Sequence, residues 1–104
     1  MKIKVDEARK IIMAVFGKGV DTSAMSVFES DNDEEVKLYN NDVMFTVSII
    51  YAKHSTEDKA RWIYNIVCSD SETNQMSWKY AHPKTLEVFD DPSQAKFETL
   101  PFAS

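Results

Sequence analysis

The sequence has few of the residues that form cross-links, tight turns and membrane spans. Its 104 residues include one cysteine, two glycines and three prolines. Because Cys68 stands alone, an internal disulfide and a cysteine-based metal cluster within one chain are excluded, and a reducing compartment is favoured. The uncharged run at residues 11–17 is too short to cross a bilayer, and the charged start MKIKVDEARK is unlike a signal peptide. We therefore expect a cytoplasmic protein with no membrane partner.

Basic residues are also scarce. The chain has 12 basic and 17 acidic residues, for a formal net charge of -5. Nucleic acids and anionic membranes bind clustered Lys and Arg, so this balance argues against both as direct partners. Residues 1–19 hold five bases and two acids, whereas residues 20–35 hold six acids and no base. The composition thus predicts a basic start followed by an acidic body.

Apolar residues, in contrast, are plentiful and evenly spread. They make up 43% of the chain, enough for one compact core, so we expect a single domain over residues 1–104. The first apolar pattern has spacings of three and four, which predicts an amphipathic helix from Val5 to Phe16, ended by Gly17 or Gly19. The apolar positions of this helix are Val5, Ala8, Ile12, Val15 and Phe16.

Further along the chain the apolar period changes to two, which predicts strands. Val43 to Ala52 and Ala60 to Cys68 are expected to form a central hairpin, and shorter strands are expected at residues 25–29, 36–39 and 76–80. Connections this short leave no room for crossover helices, so the sheet should be antiparallel. The side chains expected to supply much of the core are Phe45, Val47, Ile49, Trp62, Tyr64 and Ile66.

The C-terminal part allows two interpretations, and residues 84–100 stay open between strand and helix. Thr85 to Phe89 has the composition of a sixth strand. Asp91 followed by Pro92 and Gln94 is typical of a helix start, with a cap, a proline at the first position and an amide at the third. We expect a short helix or turn from Pro92. The fold class is therefore α+β, with an N-terminal amphipathic helix packed on an antiparallel sheet of about five strands.

No residue pattern indicates catalysis, a metal or a cofactor. His54 and His82 are the only histidines, neither is tied by spacing to a nucleophile, and both are expected in exposed loops. Cys68 lies on an apolar strand face and is expected to be buried and unreactive. The acidic run from Asp31 fails as a calcium loop, because the sixth position is valine instead of glycine and the twelfth is aspartate instead of glutamate. An enzyme is thus less favoured than a binding protein.

Two groups of acids and two aromatic side chains are the candidate partner-binding residues. Both groups of acids are expected in hairpin loops, which in a meander can lie at the same end of the sheet. Trp78 and Tyr80 flank Lys79 in a polar strand, so partial exposure is expected, as in interface hot spots. The complete set is Glu29, Asp31, Asp33, Glu34, Glu35, Asp70, Glu72, Trp78 and Tyr80.

These features favour a small acidic protein that neutralises or regulates a basic protein partner by occlusion. Carboxylates can occupy positions on a basic surface that phosphates would otherwise fill, as a toxin-immunity protein or a phage-encoded inhibitor would do. The expected partner is a toxin or a nucleic-acid-processing enzyme such as a nuclease. Two alternatives stay open: a small enzyme or ligand-binding domain with a pocket between helix and sheet, and a homo-oligomeric subunit whose helix or edge strand completes a homodimer.

Overall fold

The computed structural model describes residues 2–17, 19–53 and 58–103. One helix precedes an antiparallel sheet whose six strands lie in chain order, which makes a simple meander. The predicted α+β fold is confirmed, with one strand more than the five or so expected. The elements are α1 (Val5–Phe16), β1 (Ser26–Glu29), β2 (Glu35–Tyr39), β3 (Val43–Ala52), β4 (Arg61–Asp70), β5 (Met76–Ala81), β6 (Val88–Phe89) and two 3-10 helices, Pro92–Gln94 and Phe97–Thr99.

Helix α1 has the bounds that its apolar spacing predicts. It buries Ala8, Ile11 and Ile12 against one side of the sheet, which we call the helix face. Gly17 ends the helix with a φ of 99°, a conformation that favours glycine, and its N–H donates to the carbonyl of Met13. No helix among the described residues is long and apolar enough to span a membrane.

The strand register assembles the main core on the helix face. Val36, Val47 and Ile66 lie opposite one another on β2, β3 and β4, and directly opposed residues point to the same side of a sheet. Of the six side chains predicted for this core, four are buried, while Ile49 and Trp62 pack partly buried at its margin. The buried members are Ile3, Ala8, Ile11, Ile12, Val36, Leu38, Phe45, Val47, Tyr64, Ile66 and Ala81.

A second, smaller core lies on the other side of the sheet, which we call the open face. Ile63 is only 1% exposed there, because Ala95 and Leu100 of the C-terminal segment pack over it. The period of two in β4 predicts that Ile63 lies on this side, opposite to Trp62 and Tyr64, but it does not indicate what covers Ile63. The segment is anchored to β4 by a hydrogen bond from the N–H of Trp62 to the carbonyl of Pro101, 3.1 Å long. It covers only the part of the open face around Ile63.

The C-terminal segment begins with the predicted helix start. The carboxylate of Asp91 accepts from the N–H of Ser93, and the amide oxygen of Gln94 accepts from the N–H of Asp91. The result is one 3-10 turn from Pro92. The sixth strand is shorter than its sequence suggests, because Leu86 has a φ of 59° and its N–H donates to the carbonyl of His82. Residues 82–87 therefore form a turn, and only Val88–Phe89 pairs with β5.

Candidate functional site

We call the end of the sheet with the turns of residues 40–42 and 71–75 the lower end, and the opposite end the upper end. The lower part of the open face is a broad surface that the described residues leave uncovered. Two cross-strand rows run over five strands here, from β1 to β5. The first row is Ser26, Tyr39, Met44, Ser69 and Met76; the second is Phe28, Lys37, Thr46, Val67 and Trp78. Nine of these ten side chains are uncharged, and Lys37 is the exception, so the rows form one mainly uncharged area.

Large apolar side chains in these two rows are strongly exposed. Trp78 is 52% exposed, Phe28 51%, Met76 49% and Tyr39 40%. Two of them lie on β1 and β2 and two on β5, with the partly buried Met44 and Val67 between them. Single exposed apolar residues are ordinary on protein surfaces, whereas larger apolar areas are typical of interaction sites. Aromatic residues and methionine are also the types enriched at interfaces. The lower open face therefore has the composition of a contact surface.

The candidate acids do not converge. In a meander the hairpin connections alternate between the two ends of the sheet, so the turn between β1 and β2 lies at one end and the turn between β4 and β5 at the other. The expectation that both acidic groups meet at one end is therefore wrong. Asp31, Asp33 and Glu34 lie at the upper end, whereas Asp70 and Glu72 lie at the lower end. Asp70 is opposite Val43, which packs against the main core, so Asp70 lies on the helix face at the lower margin of the sheet.

A third acid joins Asp70 and Glu72 at the lower end. The turn of residues 40–42 lies beside the turn of residues 71–75, where the N–H of Ser71 donates to the carbonyl of Asp42 over 3.0 Å. We call Asp42, Asp70 and Glu72 the acidic corner; all three are exposed. Sequence reasoning missed Asp42 as a binding candidate. The sequence could have indicated it, because the second and fourth connections of a meander lie at the same end of the sheet.

Two acids of the upper turn make contacts with other parts of the chain. The carbonyl of Asp33 accepts from the N–H of Ile3 at 2.8 Å, and its carboxylate lies 3.9 Å from the ammonium of Lys2. Glu34 accepts a hydrogen bond from the hydroxyl of Tyr51. These contacts join the turn to the N-terminal segment and to β3. The upper turn therefore has a structural role that the charge pattern alone does not reveal.

The other three candidate acids of this region lie in different positions. Glu35 points to the open face and lies 3.9 Å from the ammonium of Lys37. Glu29 is opposite the buried Val36, so it lies on the helix face, at the outer margin of the sheet. Asp31 is exposed at the tip of the turn. Of the upper acids, Glu35 thus lies nearest to the exposed rows.

The four large rings of β4 and β5 are divided between the two faces. Tyr64 lies opposite Ala81, so Trp62 and Tyr64 are on the helix face, where their rings meet edge to face at 4.9 Å. Trp78 and Tyr80 are on the open face. Tyr80 packs against the second core and is half-buried, whereas Trp78 is exposed. The rings do not form one cluster, and Trp78 is the one presented to solvent.

His82 is buried, which contradicts its predicted position in an exposed loop. Only 6% of the residue is accessible, because the turn after β5 folds beneath the C-terminal segment. Its Nδ1 accepts from the N–H of Lys84, and its Nε2 donates to the carbonyl of Thr99 at 3.1 Å. Both ring nitrogens are therefore used in holding the fold. His54 lies outside the described residues.

The remaining reactive groups show no catalytic arrangement in the part of the chain that the structure describes. Cys68 is half-buried on the helix face, where burial and then the nearby Asp70 raise the pKa of its thiol and so disfavour the thiolate. The described His, Cys, Asp and Glu residues include no group of three placed to hold a metal ion.

A groove lies between the N-terminal half of α1 and the sheet. Its larger part has a volume of about 330 Å3 and is lined by Trp62 and Tyr64 with two prolines, Pro83 and Pro101. An adjoining part of about 200 Å3 shares Tyr64, Pro83, Glu7 and Lys84 with the first. We call the two parts the helix groove. The charged residues along it are Lys2, Glu7, Lys10 and Lys84, so three cations face one anion in an otherwise acidic protein.

The hydroxyl of Tyr64 in this groove gives a pH dependence. Burial, followed by the negative charge of Glu7, raises the pKa of Tyr64 to about 12, from an ordinary value near 10. The neutral form is thus favoured by folding: its stabilising contribution is complete below pH 10 and is lost as the pH rises towards 12. We expect the stability of the wild type to fall relative to Tyr64→Phe over this range, measured by urea titrations at a series of pH values. A difference between the two proteins that does not change with pH would contradict the shift.

The surface best suited to a function is therefore the lower open face with the acidic corner at its border. It combines exposed rings and methionines with an unbalanced negative charge, and the strands hold both on a rigid frame. Comparison with protein-family models, with curated proteins and with solved structures found no match to this chain.

Proposed function

We propose that the chain is an acidic binding protein that docks its lower open face on a basic protein partner and neutralises or regulates that partner by occlusion. The observation that supports this most is that the acidic corner lies at the same end of the sheet as the exposed rows, with Asp42 and Glu72 in the turns that border them. Interfaces commonly combine an apolar centre with a polar rim. The two rows supply the centre, and the corner supplies one charged side of the rim.

The charge of this surface favours a cationic partner. Lys37 is the basic residue within the two exposed rows, and Glu35 lies 3.9 Å from it. The three acids of the corner add negative charge that no neighbouring base in the two turns offsets. A partner that presents an apolar patch flanked by Lys or Arg is complementary to this arrangement. Such complementarity mainly raises the association rate and selects against wrong partners.

A toxin or a nucleic-acid-processing enzyme fits this description. The substrate groove of a nuclease carries cations that bind phosphates, and carboxylates of an inhibitor can occupy the same positions. The exposed rings can then cover the remaining groove and exclude the substrate without any chemistry. The comparison with immunity proteins and phage-encoded inhibitors is one of size, charge and mode of action.

The electrostatic part of the proposal is tested with two double charge reversals that change the net charge equally. Asp42→Lys with Glu72→Lys alters the acidic corner, and Asp31→Lys with Glu87→Lys alters the opposite end of the sheet. Asp70 is left in place because its carboxylate accepts from the N–H groups of its own turn. With a partner isolated from the native host, we expect the corner reversal to slow association about tenfold or more at low salt, and the control to slow it much less.

High salt should reduce the difference between the two reversals, because screening shortens the reach of the field. Equal association rates for the wild type and both reversals would exclude electrostatic docking by the corner. The apolar part is tested with a pair of methionines, Met76→Ala on the open face and Met13→Ala on the exposed side of α1. Only the first should speed dissociation, and Trp78→Ala should cost about 2 kcal/mol of binding free energy or more. Equal effects of the two methionine substitutions would contradict docking by the open face.

The helix groove supports a second candidate function, the binding of a small amphipathic anion. Its rings and prolines suit an apolar body, and Lys2, Lys10 and Lys84 suit a carboxylate or phosphate. In a Trp78→Phe background, 2-naphthoate should quench the fluorescence of Trp62, and Lys84→Gln should weaken this binding. The cationic analogue 2-naphthylmethylammonium is the control. Equal quenching by both compounds, or none by either, would remove this candidate.

A further inference from the structure

Strand β1 forms one margin of the sheet and pairs on one side only, with β2. The direction of its backbone groups follows from two hydrogen bonds. The N–H of Asn40 donates to the carbonyl of Val43, so the even-numbered residues of β2 bond to β3 and its odd-numbered residues bond to β1. The N–H of Ser30 donates to the carbonyl of Glu35, which agrees with this alternation. Phe28, opposite Lys37, therefore bonds inward.

Val27 and Glu29 direct their N–H and C=O groups away from the sheet. Within the described ranges, no hydrogen bond uses the backbone groups of these two residues. All four residues of β1 are exposed, and the strand contains no proline, no lysine and no bulge, although its short length and the charge of Glu29 are features that weaken pairing at an edge. The opposite margin, β6, has two residues and is followed directly by the capped turn at Pro92. The sheet thus has one edge open to pairing.

We propose that β1 pairs antiparallel with β1 of a second copy of the chain, about a two-fold axis that passes beside Phe28. In this register Val27 lies opposite Glu29 of the other copy, and each of these two pairs exchanges both of its backbone hydrogen bonds. Phe28 lies opposite Phe28 of the other copy in the non-hydrogen-bonded position between them. The axis is perpendicular to the sheet, so both open faces point the same way and become one continuous surface.

Self-complementarity selects the second copy as the occupant and fixes this register. A pairing centred on Val27 forms only half as many bonds between the outward groups, and one centred on Glu29 places two carboxylates directly opposite each other. The Phe28 register avoids both and brings two rings that are each 51% exposed side by side. The arrangement has closed two-fold symmetry, as most homodimers do.

The dimer is expected to be weak and to depend on concentration. Two four-residue strands bury far less than the roughly 1,200 Å2 of a stable interface. Each copy carries a net charge of -5, so the two repel, and added salt should strengthen the dimer. Docking on a basic partner should respond to salt in the opposite direction, and only docking needs the acidic corner, although Phe28 belongs to both surfaces. The two proposals can therefore fail independently.

Sedimentation velocity over a concentration series provides the first test. Val27→Pro removes one outward N–H from each copy but no bond to β2, while Val27→Ala keeps the N–H and is the matched control. We expect the wild type and Val27→Ala to dimerise alike and Val27→Pro to bind at least about tenfold more weakly. A wild type that stays monomeric at all concentrations would overturn the proposal, as would a Val27→Pro protein that dimerises as strongly as the wild type.

Cysteine cross-linking tests the register without relying on a proline variant. In a Cys68→Ser background, Phe28→Cys places two thiols directly opposite across the axis, with Cα atoms about 4.5 Å apart, which is within disulfide range. Val27→Cys places its thiol opposite Glu29 instead. Under a mild glutathione redox buffer, the first variant should form a covalent dimer and the second should not. Equal cross-linking of the two, or cross-linking of neither, would contradict the Phe28 register.

Discussion

Replacing Phe45 by alanine should lower the free energy of unfolding by about 3 to 5 kcal/mol. The side chain is only 3% exposed and lies on the helix face, opposite Leu38 on one neighbouring strand and Cys68 on the other. Its ring is 5.4 Å from the ring of Phe16 at the end of α1. Truncation therefore removes buried apolar surface and leaves a cavity where the helix meets the sheet, and both effects destabilise the fold.

Phe28→Ala is the matched control for this prediction. It removes the same ring from the same sheet, but from the open face, where the side chain is half exposed. We expect it to cost less than about 1 kcal/mol at dilute protein concentration. Urea titrations followed by circular dichroism measure both variants. If Phe28→Ala cost as much as Phe45→Ala, the assignment of the two faces would be wrong.

Arg61→Ala should detach the C-terminal segment from the sheet and cost about 2 to 3 kcal/mol. The guanidinium of Arg61 donates to the carbonyls of Glu98 and Leu100 at 3.0 and 2.9 Å. It also lies over the ring of Phe102, 4.1 Å from the centroid, and beside that of Phe97 at 5.2 Å. One side chain thus connects four residues of the segment to β4, in addition to the backbone hydrogen bonds at Trp62 and Ala103.

Amide hydrogen exchange distinguishes detachment of the segment from general loss of stability. The N–H groups of Trp62 and Ala103 bond across the junction, to the carbonyls of Pro101 and Ala60, and should lose protection in Arg61→Ala. Amides in the centre of β3 should keep theirs relative to the new global stability. Arg61→Lys keeps the positive charge but lacks the planar guanidinium, so its loss of amide protection should lie between those of the wild type and Arg61→Ala. Unchanged exchange at Ala103 would show that Arg61 does not hold the segment.

The parts of the fold that follow from local patterns could be predicted from the sequence. The bounds of α1 and β3 are those predicted from the spacing of their apolar residues, because each element packs one apolar side against the main core. The capped turn at Pro92 depends on neighbouring residues and was also predictable. The second core was not, since Ala95 and Leu100 have no periodic spacing that indicates contact with Ile63. The burial of His82 follows from that same long-range packing.

The candidate site was predictable in composition and not in arrangement. The sequence indicated that Trp78 would be exposed, because its strand is otherwise polar. It could not separate Trp78 from Tyr80, since the difference arises from the C-terminal segment that covers only the latter. The separation of Asp31 from Asp70 depends on how many strands lie between their turns. That number was implicit in the strand predictions, but no single segment shows it.

The strict chain order of the sheet has a consequence for how the molecule folds. Every strand pairs with its neighbour in sequence, so each hairpin closes a short loop and the sheet can grow one strand at a time. Contacts between distant parts of the chain come from the packing of α1 on the sheet, from the C-terminal segment over Ile63, and from the far end of the long β3–β4 hairpin, where Val43 pairs with Asp70. Growth by successive hairpins lets each new strand pair as soon as its neighbour is in place, which shortens the time that unpaired strand edges stay exposed.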